Sequence, residues 1–251
     1  MKIPDVHKMF PYEMRLHLYT HTDMAPIGDA VFDALEADPE LTPQKYGRYE
    51  PFRTTLPEVR RLWQEEAAKR FGAFGGERKR PFYVGFEAKF GPDALKPFHM
   101  IWMSFDLKVL RHDGARRIET LFRRLVTIAD PYWGSAEHSG DFERQNVFLN
   151  YPTERGTIEP YRVVGLHPEK AIPGLYWLNY FGPQLTALMP VVREAKEYGA
   201  EPLGKGVLLK LAGDPEAMLL PESIERAERC KRDLGPPLFF DRNLPGADRV
   251  P

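Results

Sequence analysis

The chain has 251 residues, of which 43% are hydrophobic and 28% are charged, a composition typical of a globular protein with a sizeable buried core. Its formal net charge of −1 gives no support to a nucleic-acid surface, which needs a clustered basic excess. A single cysteine, Cys230, excludes an intrachain disulfide framework and a cysteine-rich zinc module.

The ends and the hydropathy of the chain predict its location. No apolar segment of the kind found in secretory signals follows Met1, and no run of residues reaches the apolar length of a membrane span. We therefore expect a cytoplasmic protein that makes no contact with a membrane. Cys230 falls within a helical pattern, where an unreactive thiol is the expected state.

The first half of the chain alternates between strand and helix patterns. Side chains that alternate between apolar and polar predict three strands, at Met14–Thr20, Phe82–Phe90 and Phe98–Leu110. Apolar residues that recur every three or four positions predict three helices, one between Pro26 and Pro39, one from Thr55 to Gly72 and one after Asp113-Gly114.

A glycine-rich stretch, Gly72-Ala73-Phe74-Gly75-Gly76, invites comparison with a phosphate-binding loop. It lacks the Gly-Lys-Ser/Thr ending of that motif, and it follows a predicted helix instead of a strand. We therefore predict a flexible turn at this position.

The second half contains an irregular stretch and then an apolar run. Tyr132 to Arg144 is rich in titratable side chains and is predicted to be a loop, and the prolines from Pro152 to Pro173 predict a long irregular connection. The run Leu175–Phe181 that follows is apolar on both faces and predicts a central strand, in which only the amide of Asn179 needs buried partners. Three further elements are predicted: a short helix at Gln184–Met189, a strand at Gly206–Ala212 and a last helix from Pro221 to Gly235.

This order of elements predicts an α+β fold in which a mixed or antiparallel sheet is flanked by helices. We expect one domain, residues 1–251, with long ordered loops. A loose organisation in two halves, 1–131 and 132–251, is the alternative within that single domain.

Residues with catalytic potential are few. Glu137, His138 and Asp141 offer carboxylates and an imidazole, the groups that metal and acid–base sites need. No nucleophile elbow, His-Glu-x-x-His pair or dinucleotide-binding glycine motif accompanies them. We predict that the three are not a catalytic set, that the protein is not an enzyme and that it binds no cofactor or metal.

The segment Gly174-Leu175-Tyr176-Trp177-Leu178-Asn179-Tyr180-Phe181-Gly182-Pro183 resembles a motif of bacterial immunity proteins encoded beside polymorphic or type VI secretion toxins. The motif residues are Trp177, Asn179, Phe181, Gly182 and Pro183. The resemblance is to the immunity protein 52 family, with a related type VI immunity family as neighbour. Other pieces similar in order are Pro43 to Pro51, Pro131 to Gly134, Gly204 to Leu209 and Leu238 to Asp241.

The resemblance implies an α+β protein that binds a cognate toxin and neutralises it by non-covalent occlusion. For some members of the family the toxin is a nuclease. The net charge of −1 lacks the strong acidity of a decoy for a basic nuclease, so the chemistry of the toxin stays open. Two alternatives stay open as well: an enzyme of unrecognised class with a site at Glu137, His138 and Asp141 near Trp133, and an adaptor or structural component of a secretion or phage-like particle.

Protein interfaces concentrate their binding energy in aromatic and arginine side chains. Such residues occur in two predicted loops, Tyr46 to Arg53 and Tyr132 to Arg144. We predict that four of them bind the toxin: Tyr49, Arg53, Trp133 and Arg144. The alternative for each of them is packing inside the protein.

Overall fold

The computed structural model describes residues 13–48, 50–68, 72–91, 98–111, 113–152, 157–165 and 167–241. Six α-helices lie within these residues: α1 Gly28–Glu36, α2 Leu56–Ala68, α3 Gly114–Ala129, α4 Ser139–Asn146, α5 Pro183–Leu188 and α6 Pro221–Leu234. Eleven strands lie in the same ranges: β1 Glu13–Thr20, β2 Lys45–Gly47, β3 Gly72–Arg78, β4 Val84–Phe90, β5 His99–Asp106, β6 Trp133–His138, β7 Val147–Pro152, β8 Ile158–Val163, β9 Leu178–Phe181, β10 Ala200–Leu203 and β11 Gly206–Lys210. None of the helices in these ranges is long and apolar enough to cross a bilayer.

Nine of the described strands form one open sheet in the order β10-β11-β9-β6-β1-β5-β4-β3-β2, and all its neighbouring pairs are antiparallel. β1 lies in the middle, where Leu16 and Leu18 are fully buried. β7 and β8 form a separate antiparallel hairpin. The predicted single α+β domain is confirmed, and of the two sheet types expected, the antiparallel one is observed.

Helices α1, α2 and α3 pack on one face of the sheet, which we call the helix face. Thr20 donates a hydrogen bond from Oγ1 to the Ala129 carbonyl of α3 at 2.7 Å. Phe32 of α1 meets Tyr46 and Trp63 edge to face, with ring centroids 5.8 and 5.6 Å apart. α3 contributes the apolar stripe that its sequence predicts, since its fully buried side chains include Ile118, Phe122 and Leu125. The opposite face of the sheet is called the polar face below.

The predicted flexible turn at Gly72–Gly76 is wrong, because these residues form the first part of β3. β3 pairs with β2 on one side and β4 on the other. Its glycines make room for aromatic rings: a Cβ on Gly75 would lie 2.7 Å from Cζ of Phe52, and one on Gly76 would lie 2.6 Å from Cδ1 of Tyr46. Glycine here marks close packing against a strand.

Replacing Gly76 with alanine is therefore expected to lower the free energy of unfolding by about 1–3 kcal/mol, the usual cost of overpacking. The new methyl group would displace the buried ring of Tyr46. Chemical denaturation measures the loss. Gly213→Ala is the matched control, because no atom lies within 4 Å of that Cβ position. Equal midpoints for the two variants would contradict the packing of β3.

The predicted loop from Tyr132 to Arg144 is wrong, since β6 and most of α4 occupy it, and the irregular connection predicted from Pro152 to Pro173 is interrupted by β8. All six residues of β6 are buried, including Ser135 and Glu137, so the strand shows no alternation of polar and apolar residues. α4 has eight residues, too few for a clear helical period. Four predicted strands are shorter than expected: β4 begins at Val84, β5 ends at Asp106 before a 3₁₀ turn, β9 begins at Leu178 and β11 ends at Lys210.

The motif around β9 holds the chain in a defined turn. The side chain of Asn179 accepts a hydrogen bond from the Tyr176 N–H at 2.9 Å and donates one to the Tyr176 carbonyl at 2.8 Å. The Gly182 N–H donates to the carbonyl of Tyr132 at 2.9 Å, and a Cβ there would lie 2.2 Å from another carbonyl oxygen. Pro183 takes the first position of α5, where its missing N–H leaves no donor unpaired.

Candidate interaction surface

The strand register aligns the side chains of the polar face in rows that cross the sheet. One row runs from Gly75 through Glu87, Trp102 and His17 to Ser135. A second, parallel row runs through Gly85, Ser104, Arg15 and Glu137. Each row therefore contains a glycine in β3 or β4 and leads to a buried polar side chain in β6, near the middle of the sheet.

The two ends of these rows differ in their cover. At the β6 end, Phe142 of α4 lies under the Arg15 guanidinium, 5.0 Å from the ring centroid, and Tyr176 packs against Trp133. At the β3–β5 end, no helix among the described residues packs on the polar face, and Trp102 and Glu87 are partly exposed. This uncovered part of the polar face, formed by β3, β4 and β5, is called the open sheet face.

A depression of about 280 Å³ lies in the open sheet face. Gly75 and Gly85 form its floor, and the aromatic side chains of Phe52, Tyr83 and Trp102 line it. Tyr83 is 41% exposed, which is unusual for so large a side chain. Glycine at the two floor positions is required, because a Cβ on Gly85 would lie 2.7 Å from Oη of Tyr83.

Three charged side chains also line the depression: Arg48, Glu50 and Glu87. Arg48 is already neutralised, since its Nη2 lies 3.2 Å from a Glu65 oxygen and 2.6 Å from a Glu66 oxygen. Glu87 has Lys89 at 3.4 Å, in a partly exposed pair of small net worth. Glu50 is exposed and has no ion-pair partner in the part of the chain that the structure describes.

Behind the open sheet face, the second row ends in a buried carboxyl group. Glu137 is 1% exposed and accepts a hydrogen bond from Ser135 Oγ at 3.0 Å, while its Oε1 has no partner among the described residues. Burial raises the pKa of Glu137 to about 8, against the opposing effects of the nearby Arg15 and the Ser135 hydrogen bond. Burial likewise raises the pKa of Asp141, although Arg144 opposes it.

Arg144 lies beyond this buried group, at a second cavity of about 380 Å³ between α4 and α6. Its guanidinium binds Asp141 at 2.7 Å. Gln145, which lines this cavity, is hydrogen-bonded on two sides. Its amide group donates to the Leu175 carbonyl before β9 at 2.9 Å, and its Oε1 accepts a hydrogen bond from Nζ of Lys231 in α6 at 2.9 Å. These internal contacts give Arg144 a structural role in addition to any role in binding.

The four residues predicted to bind a partner are not equivalent in the structure. Arg53 is exposed, and its N–H donates to the Tyr46 carbonyl at 3.0 Å, which places it at the β2 edge beside the open sheet face. Tyr49 lies outside the described residues. Trp133 was expected on an exposed loop, and this is wrong: it is 1% exposed in β6, where the rings of Tyr19 and Tyr176 pack against it, which is the alternative of internal packing. Arg144 is partly exposed on α4.

Glu137, His138 and Asp141 do not converge. Glu137 and His138 are consecutive in β6 and point to opposite faces of the sheet. His138 accepts a hydrogen bond at Nδ1 from the Gly140 N–H at 3.0 Å and so caps α4. Within the described ranges, no group of three histidine, cysteine or acidic side chains has an arrangement that could hold a metal ion. Their predicted lack of a catalytic role stays a prediction.

The residues of the open sheet face were not chosen from the sequence, although one signal was available. Trp102 alternates with the buried Ile101 and Met103, so a large aromatic side chain had to lie on the less apolar face of a strand. Gly75, two strands away from Trp102, falls in the predicted turn, so the sequence gives no indication of the depression.

Comparison with known proteins shows the fold only. No protein-family model matches the chain, and no curated protein matches it. Among solved structures, the chain is similar to the Pseudomonas aeruginosa T6SS protein PA0821, with 16% sequence identity and a TM-score of 0.51. The similarity covers 86% of this chain and 73% of that protein, so the two share most of one architecture.

Proposed function

We propose that this chain is an immunity protein that binds a cognate bacterial toxin through the open sheet face and neutralises it by non-covalent occlusion. The observation that carries the proposal is the partial exposure of Trp102 in β5, together with the 41% exposure of Tyr83 just before β4, at a depression lined by aromatic side chains. Aromatic side chains are enriched at protein interfaces and dominate their binding energy. In this proposal the protein acts by stoichiometric binding and performs no turnover.

The open sheet face can form the centre of an interface. Its three strands, about 4.8 Å apart and each about seven residues long, give a projected area of roughly 330 Å². Standard interfaces bury about 800 Å² of accessible surface on each partner. The corrugated side chains and the rim at residues 50–53, which includes Arg53, supply additional accessible area beside the strands.

Two similarities support the choice of partner. The segment from Gly174 to Pro183 resembles a motif of toxin-immunity proteins, and the structural neighbour from Pseudomonas aeruginosa is a T6SS protein. Both point toward type VI secretion, in which immunity proteins protect cells from secreted toxins. A nuclease is one class of toxin that the family resemblance allows. In this proposal Arg53 lies at the rim of the interface and contacts the toxin.

The test is affinity co-purification of the chain from its native cells, followed by titration with the protein that co-elutes. We expect a toxin bound at a ratio of one to one. An interface hot spot costs about 2 kcal/mol or more, which is about 30-fold in affinity, so the double variant Trp102→Ala/Tyr83→Ala is expected to weaken binding by about 700-fold when the two losses add.

The matched control is Ile158→Ala, which removes an apolar side chain that is 70% exposed on the separate β7–β8 hairpin. Its affinity should equal that of the parent chain. Equal affinity of the double variant, with its fold intact by circular dichroism, would remove the open sheet face from consideration. If the parent chain neither binds the toxin encoded beside it nor protects cells from that toxin, the proposed immunity function is rejected.

A further inference from the structure

We infer that the depression in the open sheet face binds a cationic side chain, an arginine or a lysine, presented by the partner protein. This inference rests on the proposed function and specifies its chemistry. The observation behind it is the combination of three aromatic side chains with two carboxylates around one floor of glycines. Aromatic faces attract cations through the negative potential of the ring, and tryptophan does so most strongly.

The shape of the depression follows from the register. Gly75, Glu87 and Trp102 are direct cross-strand neighbours, so the Glu87 carboxylate stands between a position without a side chain and an indole ring. Phe52 closes the side above Gly75, and Tyr83 closes the side near Gly85. About 280 Å³ is enough for the end of one long side chain and too little for a helix or a folded loop.

The charge of the depression selects the sign of its occupant. Arg48 contributes no free positive charge, because Glu65 and Glu66 both bind it. Glu50 and Glu87 therefore give the site a net negative character, which Lys89 reduces only from one side. An anionic side chain would be repelled, and an apolar one would remove water from Glu87 without replacing its hydrogen bonds. A guanidinium or ammonium group satisfies both the carboxylates and the rings.

Neighbouring side chains hold the aromatic walls of the depression in position. The hydroxyl groups of Tyr83 and Ser104 lie side by side over Gly85, 2.7 and 2.6 Å from the position of a Cβ there, so the tyrosine ring stands at the side of the depression. His17 lies beside Trp102, with ring centroids 6.2 Å apart, and supports the indole from the covered side of the row. These contacts hold the aromatic walls in place before any ligand arrives, which lowers the entropic cost of binding.

The experiment uses small probes and the full chain, so that it does not depend on the toxin. N-acetyl-arginine amide is titrated into ¹⁵N-labelled protein while the indole N–H signals are followed. Trp102 is partly exposed, and the other tryptophans, Trp63, Trp133 and Trp177, are buried. We expect a saturable shift of the Trp102 signal alone, which Trp102→Phe identifies by its loss.

The matched neutral probe is N-acetyl-citrulline amide, which has the shape of the arginine probe without its charge. It should bind at least about fivefold more weakly, and Glu87→Gln or Glu50→Gln should weaken the arginine probe about three- to tenfold. Glu159→Gln, on the separate hairpin, should leave binding unchanged. Equal binding of the two probes, or no shift of Trp102 with either of them, would overturn the inference.

The toxin complex separates this inference from the function on which it rests. Loss of toxin binding in Trp102→Ala/Tyr83→Ala, together with full binding in Glu50→Gln/Glu87→Gln, would keep the interface and reject its cationic occupant. A probe that binds as predicted while no toxin binds the parent chain would keep the cation site and reject the immunity function.

Discussion

Replacement of Trp177 with alanine is expected to lower the free energy of unfolding by about 3–5 kcal/mol, the usual cost of truncating a buried aromatic side chain. Trp177 is fully buried immediately before β9, and its carbonyl accepts a hydrogen bond from the Leu211 N–H at 3.0 Å. The cavity left by the indole would face the core on every side. A typical domain has about 5–15 kcal/mol of total stability, so the variant should be close to unfolding at physiological temperature.

Urea denaturation measures this loss, with Trp177→Phe as the matched variant. The indole Nε1 of Trp177 has no partner among the described residues, so phenylalanine removes volume without breaking a hydrogen bond there. Its cost should be less than half that of alanine. A second comparison is Trp102→Ala, which truncates a partly exposed tryptophan and should cost much less. An unchanged midpoint for Trp177→Ala would contradict the packing around β9.

The stability of the protein is expected to fall as the pH rises from about 6.5 to about 8. Burial raises the pKa of Glu137 from 4.5 to about 8, so the folded protein keeps this carboxyl protonated while the unfolded chain has released the proton. The folded state then binds more protons than the unfolded state, and its stability decreases with pH until the folded group also ionises. This contribution is complete below pH 4.5 and is lost near pH 8.

Another buried group opposes Glu137 at lower pH. Burial lowers the pKa of His17 from 6.5 to about 3, with Arg15 acting in the same direction. The unfolded chain therefore binds the extra proton between those values, and this histidine makes stability rise with pH up to about 6.5. Of these two groups, only Glu137 changes its contribution to stability between pH 6.5 and pH 8.

Unfolding midpoints at pH 6.5 and pH 8 measure the effect of Glu137. At about 1.4 kcal/mol for each pH unit, the expected decrease over this interval is about 2 kcal/mol. Glu137→Gln should abolish it, because the amide cannot ionise and its oxygen can still accept the hydrogen bond from Ser135. An equal decrease in the parent chain and in Glu137→Gln would show that another group causes it.

Several elements could be predicted because their signals are local. β1 alternates buried and polar-face residues over its whole length, and α3 carries an apolar stripe bounded by Gly114. The sequence predicts that the buried amide of Asn179 is hydrogen-bonded, because buried polar groups need partners. The observed partners are the backbone N–H and carbonyl of Tyr176, three residues away. The resemblance of the Gly174–Pro183 segment also rests on adjacent residues.

The interaction surface could not be predicted because it depends on contacts between distant parts of the chain. Gly75 was predicted to lie in a turn because the ring that packs against it, Phe52, belongs to another segment and leaves no signal in the local sequence. Trp133 was predicted to lie on an exposed loop because the rings that pack against it, Tyr19 and Tyr176, belong to other parts of the chain. The depression itself requires the register of three strands, which single-strand patterns do not contain.

The most direct measurement is hydrogen–deuterium exchange of the chain alone and in complex with its co-purified toxin. We expect protection on binding at β4 Val84–Phe90 and β5 His99–Asp106, which form part of the open sheet face, and at residues 50–53 beside it. α3, on the helix face, should exchange at the same rate in both states. Protection confined to the helix face or to the Arg144 cavity, with none in β4 and β5, would contradict the proposed interface.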